Sequence, residues 1–151
     1  MKLPQDFREF LEFFNAKGVE YMIVGSYALA YYGAPRFTGD IDVFVKRSER
    51  NAKRIIEALR DFGFSFPNLT HQDFLEDDNV VQLGMPPIRI DILTSLSGMS
   101  WEKASLGMES GAFDGIPVYI IGRADYIQNK RAAGRTRDLA DVEALGEGPL
   151  K

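Results

Sequence analysis

The six residues Asp40-Ile41-Asp42-Val43-Phe44-Val45 constrain this chain more than any other stretch. Ile41, Val43 and Val45 alternate with Asp40, Asp42 and Phe44, the period-2 pattern of a strand with two distinct faces. Asp40 and Asp42 therefore share one face, close together. Two carboxylates held that way repel unless a cation sits between them or one takes a proton. The chain has no cysteine and a single histidine, His71. Disulfide frameworks, Cys-based zinc sites and thiol nucleophiles are excluded, and a Ser-His-Asp triad is disfavoured. Hard oxygen donors without His or Cys suit Mg²⁺ rather than zinc.

The surroundings of this strand read as helices and strands in alternation. Phe7, Phe10, Leu11 and Phe14 recur at helical spacing, which predicts an amphipathic helix over 6–17 that ends at Gly18. An apolar run over 19–24 predicts a strand, and the pair Gly25-Ser26 turns it into a helix over 27–32 with Ser26 as its cap. Ser48 caps a third helix, with Ala52, Ile55, Ile56 and Leu59 as its buried stripe and Gly63 as its stop. Residues 64–78 read as loop with one helical turn. Strands follow over 80–83 and 88–93, separated by Gly84-Met85-Pro86-Pro87. Residues 95–115 are irregular, with a helical turn after Trp101 and a strand before Asp114-Gly115. A further strand covers 118–121, and helices over 124–133 and 136–145 break at Gly134. No repeat or linker interrupts the interleaving. The expectation is a single α+β (α/β) domain over 1–151, a mixed sheet flanked by helices.

A length of 151 residues, 45% hydrophobic and 26% charged, is enough for a sizeable core and is the balance of a soluble globular protein. The net charge of −4 disfavours broad nucleic-acid binding, while leaving room for a local basic cluster. The first residues turn acidic at once, and no apolar run approaches a membrane span, so a cytoplasmic location is expected.

Separated from Asp40 by thirteen residues, Gly25-Ser26 offers free backbone N–H groups, a helix N-terminus and a hydroxyl, which together favour a phosphate. A third carboxylate, Asp91, lies in the strand Ile88-Arg89-Ile90-Asp91-Ile92-Leu93, where Arg89, Asp91 and Leu93 share one face. An acid inside so apolar a strand is costly to bury without a partner. If this strand lies beside the one carrying Asp40 and Asp42, the three carboxylates converge. Metal ions held there stabilise the attacking and leaving oxygens of an in-line phosphoryl displacement.

Gly-Ser, a spacer, Asp-x-Asp and a later strand Asp resemble the nucleotidyltransferase superfamily with the DNA polymerase β-like fold. Residues 24–45, where Arg36-Phe37-Thr38-Gly39 runs into Asp-Ile-Asp, are similar to its small bacterial members. These are the AbiEii-type and minimal nucleotidyltransferase groups associated with toxin–antitoxin systems. Asp91 followed by Leu96-Ser97-Gly98 fits the same pattern, as does the series Asp125-Tyr126-Ile127-Gln128-Asn129-Lys130, Arg135, Asp138 and Asp141. The resemblance implies that Gly25 and Ser26 contact the β- and γ-phosphates of a nucleoside triphosphate. It implies that Asp40 and Asp42 ligate Mg²⁺, that Asp91 completes the site and draws the acceptor's proton, and that Lys130 contacts the triphosphate. Arg36 and Thr38 complete the nucleotide-binding set, with Arg36 equally suited to pairing with a carboxylate and Thr38 to fixing the loop. The cluster Lys130, Arg131, Arg135 and Arg137, followed by Asp138 and Asp141, reads either as a salt-bridged helical face or as a ligand contact.

The resulting expectation is an Mg²⁺-dependent transferase moving NMP from an NTP to a hydroxyl on protein, RNA or a small molecule. One alternative is a catalytically weak protein of the same fold acting with a helical toxin–antitoxin partner. Another is an antibiotic adenylyltransferase, for which the acidic run Glu76-Asp77-Asp78 would supply a cleft for a cationic acceptor.

Overall fold

The computed structural model describes residues 2–34, 39–64 and 68–147. Its centre is a six-stranded mixed sheet in the order β3-β4-β2-β1-β6-β5. These strands are β1 (Tyr21–Val24), β2 (Asp40–Val45), β3 (Val80–Met85), β4 (Ile88–Leu93), β5 (Glu109–Phe113) and β6 (Ile116–Ile120). β2 runs antiparallel to β1 and parallel to β4, while β1 runs parallel to β6. β3 and β5 close the edges as antiparallel hairpin partners of β4 and β6.

One face of the sheet is dry. Ile41, Val43 and Val45 have no exposed surface, and Ile23, Ile92 and Ile120 share their burial. The helices α1 (Gln5–Ala16) and α3 (Glu49–Phe62) pack on each other through Phe10, Phe13 and Phe62, with ring centroids 6.1 Å apart in both pairs. Phe14 of α1 meets Tyr21 of β1 edge to face at 5.7 Å. α3 starts and stops where expected: Ser48 accepts a bond from Asn51 N, and Gly63 takes the left-handed conformation. Buried Asn51 then ties α3 to the sheet. Its side chain accepts from Glu20 N at 2.7 Å and donates to the carbonyls of Glu20 and Lys46 at 3.0 and 2.9 Å. A buried amide satisfied three times in this way fixes the helix against the ends of β1 and β2.

The other face carries the polar side chains of β2. Phe44 leads that face to α4 (Trp101–Gly107), where Trp101 meets it edge to face at 5.5 Å. α5 (Arg123–Ala133) and α6 (Thr136–Ala144) follow, with Gly134 in the left-handed conformation between them. α5 is held by side chains reaching into the loop after β4: Asn129 donates to the Ser97 carbonyl at 3.0 Å and Gln128 to that of Gly98 at 2.8 Å. No helix among the described residues is long and apolar enough to cross a membrane.

The element bounds differ from expectation in a few places. The helical turn expected after Trp101 is a full helix, while the strand expected before Asp114-Gly115 is β5 and the single helical turn expected in 64–78 is the 3-10 turn His71–Phe74. The short helix α2 spans Gly25–Tyr31, so Ser26 lies inside its first turn and the cap position falls to Val24. Tyr27, next to Ser26, packs on Phe7 and Phe113 and anchors that turn to the core.

Candidate active site

The parallel pairing of β2 with β4 puts Asp42 directly beside Asp91, and Asp40 beside Arg89. Side chains at paired positions of neighbouring strands lie on the same face, so the three carboxylates converge as the strand pattern required. Gly25, Ser26, Asp40, Asp42, Asp91 and Lys130 all line one cleft of about 410 Å³. Arg36 and Thr38, which also belong to the expected nucleotide-binding set, lie outside the described residues.

Two glycines let the backbone into this space. Gly25 has a φ of 66°, and a Cβ there would stand 2.3 Å from Asp42 Oδ2. Any larger residue would meet both backbone strain and a displaced Asp42. Gly39, just before β2, presses on Pro87 so closely that a Cβ would fall 1.5 Å from its carbonyl oxygen. That contact, with the Arg89 N–H bonded to the Gly39 carbonyl at 3.1 Å, locks the β3–β4 hairpin to the start of β2.

The partner that buried Asp91 demands is Arg89. Its Nε donates to Asp91 Oδ1 at 2.9 Å, and Nη2 donates to Asp91 Oδ2 at 3.1 Å and to Asp40 Oδ2 at 2.9 Å. Asp42 is treated differently. Burial, the charge of Asp91, a hydrogen bond with Asp91 and the charge of Asp40 push its carboxyl up to about 7, against a smaller opposing pull from Lys130. Among the described residues, no three carboxylate or imidazole side chains stand together as a ready cage for a metal ion. In this arrangement a guanidinium fills the cation's role for Asp40 and Asp91. The donor set itself suits a hard divalent ion, being three carboxylates at adjacent strand positions with Asp42 short of positive charge.

The facing wall is basic. Lys130 of α5 lies 3.3 Å from Asp138 Oδ1 and 5.6 Å from the centre of the Tyr126 ring. Asp138 has no exposed side-chain surface. Arg135 also grips it, through Nε at 2.6 Å, Nη2 at 3.2 Å and its backbone N–H at 3.2 Å. Desolvation opposes the charge on Asp138, but these bonds to Arg135 and Lys130 prevail and hold its carboxyl below the usual range. The salt-bridged reading of this cluster holds at Lys130 and Arg135, and Lys130 also faces the cleft. Arg135 and Arg137 line it too.

A larger groove of about 1290 Å³ lies elsewhere, among α1, α4 and β6. Arg8 pairs there with Glu12 and Lys46 with Glu20.

Arg89 is the residue that sequence reasoning passed over. Its signal was present: it shares a face with Asp91, and a buried acid needs a cation. Reaching Asp40 requires knowing which strand lies alongside, which no local pattern supplies.

Two comparisons are silent. No family model matches the chain, and no curated protein is significantly similar to it. A solved structure does match: that of a "putative nucleotidyltransferase" from Thermotoga maritima, with a TM-score of 0.60. The alignment covers 91% of this chain and 88% of that one at 14% identity. This chain has the nucleotidyltransferase fold. At that identity the shared property is the architecture, and the chemistry rests on the side chains described above.

Proposed function

We propose that this protein is a nucleotidyltransferase that moves NMP from a nucleoside triphosphate to a hydroxyl group of an acceptor. The observation that carries the reading is the meeting of Asp40, Asp42 and Asp91 with the Gly25-Ser26 turn and Lys130 around one cleft. In such a transfer the acceptor oxygen bonds to the α-phosphorus, the bond to the bridging oxygen breaks, and pyrophosphate leaves. Asp40, Asp42 and Asp91 would hold Mg²⁺, which supplies charge stabilisation to the phosphoryl and leaving oxygens.

The protein's own groups divide the remaining work. The backbone N–H groups at the start of α2 and the Ser26 hydroxyl suit phosphate oxygens. Lys130, Arg135 and Arg137 offer positive charge on the facing wall, where charge-assisted bonds to a triphosphate are strong. The acceptor's proton needs a base within hydrogen-bond reach. Asp91, on the strand beside Asp42 and lining the same cleft, is the candidate for that role. This basic wall disfavours a polycationic antibiotic as acceptor. Asp77 of the acidic run Glu76-Asp77-Asp78 is bonded by Ser95 and Arg47.

The test is a thermal-unfolding scan of wild type and Asp42→Asn with Mg²⁺ and each of the four NTPs. A nucleotide at one hundred times its dissociation constant should stabilise the wild type by about 2.7 kcal/mol. For a chain of this size that is roughly 5–10 °C. The shift should need Mg²⁺ and vanish in the variant. Absence of a shift with every nucleotide would replace this reading with that of a catalytically silent interaction protein, the toxin–antitoxin partner role.

A further inference from the structure

Arg89 makes three bonds to two of the three carboxylates, and its side chain is only 27% exposed. The guanidinium is planar and always charged, so its fork fits the gap between Asp91 and Asp40 in a way an ammonium could not. It lies between the oxygens that Mg²⁺ would take. An ion arriving alone would have to break charge-assisted bonds and then sit beside a stranded positive charge. An ion arriving with a triphosphate brings its own negative charge, which gives Arg89 a new partner and offsets the repulsion.

We infer that Arg89 is a resident counter-cation, which neutralises Asp40 and Asp91 while the cleft lacks nucleotide and so makes divalent-cation binding depend on nucleotide. This rests on the reading that the three carboxylates hold Mg²⁺. Linkage makes the coupling reciprocal: whatever nucleotide adds to metal affinity, metal adds to nucleotide affinity, and Arg89 sets part of that factor. Its purpose is economical of parts, because one side chain keeps an anionic pocket folded and stops it loading an ion without substrate.

The experiment is Mn²⁺ binding to the purified protein without nucleotide, read from the electron paramagnetic resonance signal of free Mn²⁺. Wild type is compared with Arg89→Gln and Arg89→Lys, with Asp42→Asn as the site control and circular dichroism as the check of folding. Removing a unit charge a few ångströms away should tighten Mn²⁺ binding in Arg89→Gln by roughly tenfold or more. Arg89→Lys keeps the charge but gives up the fork, and is expected between the two; it carries the test if the Gln variant does not fold. Equal or weaker Mn²⁺ binding in the folded variants would overturn the inference and make Arg89 a positioning residue for Asp91. If neither wild type nor variants bind Mn²⁺ alone, the titration is repeated with NTP: binding that then appears equally in wild type and variants overturns the inference alone, and binding in none of them refutes the metal site and the functional reading with it.

Discussion

Asp42 stands in conflict with its surroundings, and the conflict can be measured. Its carboxyl titrates near 7 in the folded protein against an ordinary 3.8. Between those values the folded state binds more protons than the unfolded chain, so this group's contribution to stability falls as pH rises across the window. Below about 4 it costs nothing, and above about 7 its full cost is present. Replacement by Asn keeps the shape and removes the charge. With EDTA present, Asp42→Asn should therefore exceed wild type in stability at pH 8 by on the order of 3 kcal/mol, a gap that closes toward pH 4. Urea midpoints at both pH values check this, and an Asn variant that is equally destabilised at both would refute it. The same substitution should abolish the Mg²⁺–nucleotide shift. A change that strengthens the empty fold while removing ligand binding marks a residue kept for function rather than for folding.

At the scale of elements, the legible parts were those with local periodicity. β2 and β4 have the bounds their alternation set, and α3 has both the cap and the stop that Ser48 and Gly63 announced. α4 buries only Ala104, so no apolar stripe signals its full length, whereas β5 was marked by the Asp114-Gly115 turn after it although Glu109-Ser110-Gly111-Ala112 lacks strand-forming side chains. Partnerships between distant elements were legible only as conditions. The convergence of Asp42 and Asp91 waited on β4 lying beside β2, and the reach of Arg89 to Asp40 waited on the same pairing. The α5–α6 corner is a further case, since its charges read as a salt-bridged helical face or as a ligand contact, and no local pattern says which acid the cations share. Asp138, closed from solvent and shared by Lys130 and Arg135, is its internal clasp. Asp138→Ala should cost about 2–4 kcal/mol, because it strips a cap and leaves Lys130 without its counter-charge. Arg135→Ala should cost less, since Arg135 is 59% exposed and Lys130 would still neutralise Asp138. Urea unfolding of the two variants gives the comparison, and a loss below about 0.5 kcal/mol for Asp138→Ala would show the clasp to be dispensable.

For the molecule as a whole, the cleft joins two separate parts of the chain. Its carboxylate floor comes from β2 and β4 and its rim from the Gly25-Ser26 turn, while its basic wall comes from α5 and α6. The wall is tied to the loop after β4 by Asn129 to Ser97 and Gln128 to Gly98, and joins the core through Tyr126, Ile127 and Val142. A ligand spanning the cleft would bond to both sides and so suppress their separation, which is the opening that hydrogen exchange detects. Saturating Mg²⁺–NTP should therefore slow amide exchange together in residues 25–28 and 129–137. β5 lies at the far edge, beyond β1 and β6, and should exchange at an unchanged rate. Hydrogen-exchange mass spectrometry of the intact protein reads all three segments in one experiment. Joint protection of turn and wall is the signature of a triphosphate held between them. Protection of the turn alone would place the nucleotide on the sheet side only and leave Lys130, Arg135 and Arg137 as structural charges. Protection spread evenly into β5 would mean general tightening of the fold rather than occupancy of this cleft.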